Sequence, residues 1–125
     1  MADLPIVELD GVLLVTVQGE LLDASVAALQ QELPERVIAA NARGVLIDIS
    51  VVDIVDSFLA RALHDTAAMV ALLAAQTVVV GMRPAVAITL VELGLTLPGL
   101  RTALSVRDGL ALLRGDSGQV RADSR

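Results

Sequence analysis

Two short apolar runs open the chain, Ile6 to Leu9 and Val12 to Val17, and between them stands Asp10-Gly11. Both residues of that dipeptide tolerate positive φ, which a tight two-residue turn requires, so the segment predicts a β-hairpin. Downstream the period changes. Leu22, Val26, Leu29, Leu33 and Val37 recur every three or four positions, the spacing of one helix face, with Asp23 or the residue before it placed to start the element. The pattern predicts an amphipathic helix of about 18 residues. Pro34 lies inside it and removes one backbone donor, so a bend, or a restart near Glu35, is expected there.

Gly44 then leads into Val45-Leu46-Ile47-Asp48-Ile49-Ser50, whose near-continuous apolar and β-branched character suits a strand covered on both faces. Asp56-Ser57 precede a second helix, in which Leu59, Leu63, Thr66, Val70 and Leu73 form a stripe broken only by Thr66. The other side of that helix carries Arg61, His64 and Asp65 early but Ala68 and Leu72 later. Its C-terminal half is therefore expected to be covered, and a partner surface is one explanation. Thr77 to Val80 read as another buried strand ending at Gly81, and Arg83-Pro84 begin a third helix with proline at a tolerated early position. Gly94 closes it. Residues 95–104 hold one more short strand, and Val106 to Leu113 fit a last helix that stops at Gly115. The remainder, Asp116 to Arg125, is small and charged, as in a frayed tail.

The predicted order is β-β-α-β-α-β-α-β-α, an α/β domain with a small mixed β-sheet packed against helices: the hairpin pair is antiparallel and the later crossovers make parallel neighbours. Residues 1–114 form the single domain and 115–125 a flexible C-terminal tail. A chain of 125 residues and 13.0 kDa is near the commonest size for one core.

Composition narrows the chemistry. Apolar residues make up 55% of the chain and the mean hydropathy is +0.74, yet Phe58 is the only aromatic residue, so the interior must be aliphatic. The longest unbroken apolar run, Ala67 to Ala75, is nine residues, whereas a membrane-spanning helix needs about 20. No membrane anchor is expected, nor does Met-Ala-Asp-Leu-Pro have the basic and apolar blocks of a secretion signal, which points to the cytoplasm. So apolar a chain without a span is expected to bury part of its outside against partners. The absence of cysteine removes disulfides, thiolate nucleophiles and zinc–sulfur sites. All nine cationic residues are Arg, and without Lys there is no Walker-type phosphate loop, Schiff base or lysine general base. A single His leaves only a carboxylate metal site open. A net charge of −6 and a pI near 4.5 argue against nucleic acid, which selects basic patches and stacking aromatics. No residue set for nucleophilic or acid–base catalysis can be assembled, so no enzyme activity and no cofactor are expected.

The densest polar cluster in the apolar middle is Asp48, Ser50, Asp53, Asp56 and Ser57, at the C-terminal end of a buried strand, the edge where α/β sheets form sites. Asp53 and Asp56 can be plain turn and cap residues. A phosphoryl-accepting, metal-binding Asp of the receiver type would need a lysine that is absent. The third reading fits the residues best: Ser57 is a kinase substrate, placed where unpaired N–H groups at a helix start can meet a phosphate. The added charge of roughly −1.5 to −2 would stand beside Asp53 and Asp56, with Arg61 one turn on to offset part of it. Its main effect would fall on a partner packed against the helix start. His64 beside Asp65 reads as a surface residue. Ser50, Thr66 and Thr89 are further hydroxyls open to modification.

The order of elements, the segment Ile47-Asp48-Ile49-Ser50-Val51-Val52-Asp53-Ile54-Val55-Asp56-Ser57-Phe58, and Pro84-Ala85-Val86-Ala87-Ile88-Thr89-Leu90-Val91-Glu92-Leu93-Gly94 together resemble a STAS domain, the fold of bacterial anti-sigma factor antagonists. Within that family the chain is most similar to the RsbS type of stressosome scaffold, over about residues 4–114. The resemblance implies a non-enzymatic scaffold of the general stress response that self-associates and assembles with RsbR-like STAS proteins to sequester an RsbT-like serine kinase. Phosphorylation, carried over onto Ser57, would release the kinase, and a serine phosphatase would reset the scaffold. With its first strand opening by Ile6, the chain is expected to lack the sensor domain of the RsbR type. Two alternatives share the fold: a simple antagonist binding one anti-sigma kinase, and an accessory subunit of a membrane transporter.

Overall fold

In the computed structural model, which describes residues 5–17, 23–93 and 100–119, Asp10 and Gly11 both take positive φ, 55° and 79°. They join β1 (Ile6–Leu9) to β2 (Val12–Thr16) in an antiparallel hairpin whose last pair is Leu9 with Val12. The turn forms for the reason the sequence gives: both central positions must be left-handed, and Asp-Gly strains least there.

The next element, α1 (Asp23–Ala40), is one helix of 18 residues that runs through Pro34. The expected restart near Glu35 does not occur. Leu33 and Val37, on either side of the missing donor, are both buried in the core and carry the helix across it. Asn41 then takes a left-handed φ of 50°, and the Ala42 amide donates to the Val37 carbonyl at 3.0 Å, a capped end.

Three further strands and three helices follow in alternation: β3 (Gly44–Asp48), α2 (Ser57–Leu72), β4 (Gln76–Val80), α3 (Pro84–Glu92), β5 (Leu100–Ala103) and α4 (Val106–Gln119). The five strands lie in chain order, β1-β2-β3-β4-β5, and β2 through β5 are parallel. The mixed sheet is thus the one expected. Both faces are covered, and the alternation along each strand sorts the side chains between two layers. Leu13, Val15, Val45, Ile47 and Val79 pack with residues of α1, α2 and α3, among them Leu33, Leu63 and Val86. Their neighbours Val12, Leu46, Val78 and Val80 face the other way and meet Leu113, Val106 and Leu110 of α4. Gly109 brings α4 close: a Cβ there would stand 2.7 Å from Leu46 Cδ2 and 2.8 Å from Val80 Cγ1.

Three expectations need correction or restriction. The last helix does not stop at Gly115 but continues to Gln119, which takes up the first part of the expected tail; residues 120–125 lie outside the described residues. Gly94, expected to close α3, also lies outside them, and Leu93 caps that helix. In the C-terminal half of α2 only the stripe side is covered within the chain: Ala67 and Val70 are buried, whereas on the opposite side Ala68 is exposed and Leu72 is 87% exposed.

Candidate functional site

Between the end of β3 at Asp48 and the start of α2 at Ser57, the chain crosses the C-terminal edge of the sheet. Alternation decides what it shows. Ile49, Val52 and Val55 are buried, whereas Val51, Asp53, Ile54 and Asp56 are exposed. Three apolar anchors hold the segment down and leave its polar residues outside. The path is fixed at its beginning by the Ile49 amide, which donates to the Val80 carbonyl at 3.1 Å, and by the Ser50 amide, which donates to Asp48 Oδ1 at 2.9 Å.

Asp56 is the N-cap of α2. Its extended backbone, φ −121° and ψ −178°, lets the carboxylate accept the Leu59 amide at 3.0 Å, satisfying one of the orphan donors of the first turn. Ser57 is the first helical residue and is exposed. The first turn of α2 carries no acidic residue of its own, and the N-cap carboxylate of Asp56 stands at the positive end of the helix dipole. Exposed apolar surface frames the serine: Ile54 is 83% exposed and Phe58 37%. Leu59 and Ala60, directly after, are buried and seat the helix.

The sequence-derived candidates do not all fall together. Asp53, Asp56 and Ser57 share this edge. Arg61 is exposed one turn along α2 and makes no hydrogen bond or ion pair among the described residues. His64 is half-buried. Thr66 is buried at 2% exposure on the core side, and Thr89 donates its hydroxyl to the Ala85 carbonyl at 3.0 Å. Ser50 is exposed. Among the described residues no three His, Cys, Asp or Glu are grouped to hold a metal ion, and no helix is long and apolar enough to cross a membrane.

One residue of this edge was not singled out by sequence reasoning. Arg83, the N-cap residue of α3, donates through Nε to the Ser50 carbonyl at 2.9 Å and through a terminal nitrogen to Asp53 Oδ1. It therefore clamps the β3–α2 segment from the β4–α3 turn. Gly81 makes the approach possible, with φ +76° and with Ser50 Cβ only 2.8 Å from where its own Cβ would stand. The Gly-Met-Arg-Pro string at 81–84 was the available signal, a left-handed glycine followed by a cation on a proline-fixed helix start, but its partners are some thirty residues away in sequence.

A STAS domain family model matches residues 3–108. The chain belongs to the STAS domain family. Among solved structures, this STAS chain is similar to a serine-to-glutamate variant of Moorella thermoacetica RsbS, with 38% identity over 91% of this chain and 97% of that one and a TM-score of 0.80. It is also similar to a chain from the molecular architecture of the stressosome, a signal integration and transduction hub: 34% identity, 92% and 100% coverage, TM-score 0.78. The unphosphorylated anti-sigma factor antagonist SpoIIAA shares the fold, with 10% identity, 90% and 98% coverage and a TM-score of 0.69. No curated protein matches this chain.

Proposed function

We propose that this STAS protein is a non-enzymatic stressosome scaffold of the RsbS type, switched by phosphorylation of Ser57. In this reading it self-associates and assembles with RsbR-like STAS proteins in the cytoplasm, holds an RsbT-like serine kinase, and releases that kinase when Ser57 is modified. A serine phosphatase restores the holding state. The observation that carries the reading is Ser57 itself, exposed at the first position of α2, next to the N-cap and framed by the exposed apolar Ile54 and Phe58. Support also comes from the likeness to RsbS and to the stressosome chain across nearly the whole length of each.

The physical logic is an interface that tolerates a hydroxyl and rejects a phosphate. A partner seated over Ile54 and Phe58 gains from covering apolar surface. A phosphate at Ser57 brings roughly −1.5 to −2 charges to a segment that already carries Asp53 and Asp56, and the same partner must then desolvate it beside like charges. The helix persists, because a phosphate at its N-terminus interacts favourably with the dipole. Arg61 is placed to balance part of the charge.

Intact-mass and peptide mass spectrometry after incubation with the cognate kinase and ATP tests the assignment. The expected result is a single phosphate on Ser57 that is absent in Ser57→Ala. A kinase that binds the protein yet leaves Ser57 unmodified would sink the switch.

A further inference from the structure

We propose that Arg83 is a positioning residue for Ser57: from the start of α3 its guanidinium holds the β3–α2 segment in the arrangement that presents Ser57 to a kinase. The inference rests on Ser57 being the phosphoacceptor.

The segment between Asp48 and Ser57 contains no helix or strand, so its shape depends on what ties it down. Its apolar anchors, Ile49, Val52 and Val55, fix the buried side only. On the exposed side, apart from the Asp56 cap on the Leu59 amide, side-chain hydrogen bonds to the segment come from two places among the described residues. Asp48 holds the Ser50 amide at the strand end. Arg83 alone reaches across from another element, taking the Ser50 carbonyl with one N–H and the Asp53 carboxylate with a second. Ser50 and Asp53 are thereby held at a set separation just before the N-cap, which fixes the direction in which the chain enters α2.

Three features make this a built clamp and not a chance surface pair. Pro84 sits at the first turn of α3 directly after Arg83, so the backbone from which the side chain springs is itself constrained. Gly81 admits Ser50 to a distance that a side chain would forbid. The planar fork of an arginine holds two acceptors in a fixed relation to one another, which the rotatable donors of a lysine do not. Neither partner is buried: the side chains of Arg83 and Asp53 are 52% and 67% exposed, so the pair adds little to global stability. Its effect is local. It sets the fraction of molecules in which the segment is closed, and a kinase that needs the closed form sees its apparent affinity reduced by whatever fraction is open.

The test uses the whole chain, its cognate kinase and ATP, with Arg83→Ala, Arg83→Lys and Asp53→Ala, read by phosphorylation kinetics and by amide hydrogen exchange of residues 51–56. For Arg83→Ala we expect exchange in that segment to rise and KM for Ser57 phosphorylation to rise by about fivefold, the scale of one exposed charged pair, with kcat and the urea midpoint unchanged. Asp53→Ala should give a smaller change in the same direction, because the Ser50 carbonyl bond remains, and Arg83→Lys should rescue only in part. Unchanged exchange together with a raised KM would overturn the proposal in favour of a direct contact between Arg83 and the kinase. Faster exchange with unchanged kinetics would also overturn it. A wild-type chain left unmodified at Ser57 removes the reading beneath the proposal, and the exchange arm then reports separately whether the clamp holds the segment.

Discussion

At the residue scale, Asp56 and Ser57 divide the work of one helix start. Asp56 spends its carboxylate on the Leu59 amide, a role that its residue type and its place before an apolar stripe already indicate. Ser57 then needs no capping duty, and its hydroxyl is left to the solvent side. Replacing Asp56 with Ala should cost about 1 kcal/mol and lower the melting temperature by about 4 °C, measured by thermal denaturation, while leaving the Ser57 hydroxyl in place. The other hydroxyls separate by environment. Thr66 is sealed in the core and closed to a kinase while the domain is folded, and Thr89 is engaged with the Ala85 carbonyl. Nothing in a linear sequence distinguishes Thr66 from an exposed helix threonine except its phase on the stripe, and that phase is the correct signal. For Arg83 the local string Gly81-Met82-Arg83-Pro84 marks a helix start but not its partners, because Ser50 and Asp53 lie on a different segment.

At the element scale, periodicity proved a good guide to which face is buried and a poor one to where a helix ends. The stripe Leu59, Leu63, Thr66 and Val70 is the buried face of α2. By contrast, α4 passes Gly115 and α1 runs through Pro34, where the burial of Leu33 and Val37 on either side offsets the lost donor. On α4 a different glycine matters. Gly109 lies where the helix rests on Leu46 and Val80, and its missing side chain sets the distance between helix and sheet. Gly109→Leu should lift α4 from the sheet and destabilise the domain by about 1–3 kcal/mol, visible as a lower urea midpoint. Helix propensity alone argues the opposite sign, since Gly is among the poorest helix formers.

At the scale of the whole molecule, a chain with 55% apolar residues leaves part of that excess outside. Leu72, Val91, Leu104 and Ile54 are each more than three-quarters exposed, on α2, on α3, after β5 and before α2. Apolar surface on several elements suits a subunit that meets neighbours on more than one side. A scaffold of this kind is expected to elute with RsbR-like STAS proteins as an assembly far larger than the 13.0 kDa chain, by size exclusion with light scattering. A chain that stays monomeric with those partners and binds a single kinase would be a simple antagonist instead.

The sequence by itself determined the element order, the Asp-Gly hairpin, the buried faces of α1 and α2, the mixed sheet and the cluster that ends in Ser57. Most of these follow from interactions within a few residues, namely turn chemistry, capping, and the match between apolar spacing and helical or extended period, and the mixed sheet follows from the rules that connect such elements. Only the tertiary structure decided that the strands lie side by side in chain order, that α4 packs on the second face, and that Arg83 reaches Ser50 and Asp53. Such contacts depend on which elements the packed sheet brings together, and no local pattern of residues encodes the identity of a partner some thirty positions away.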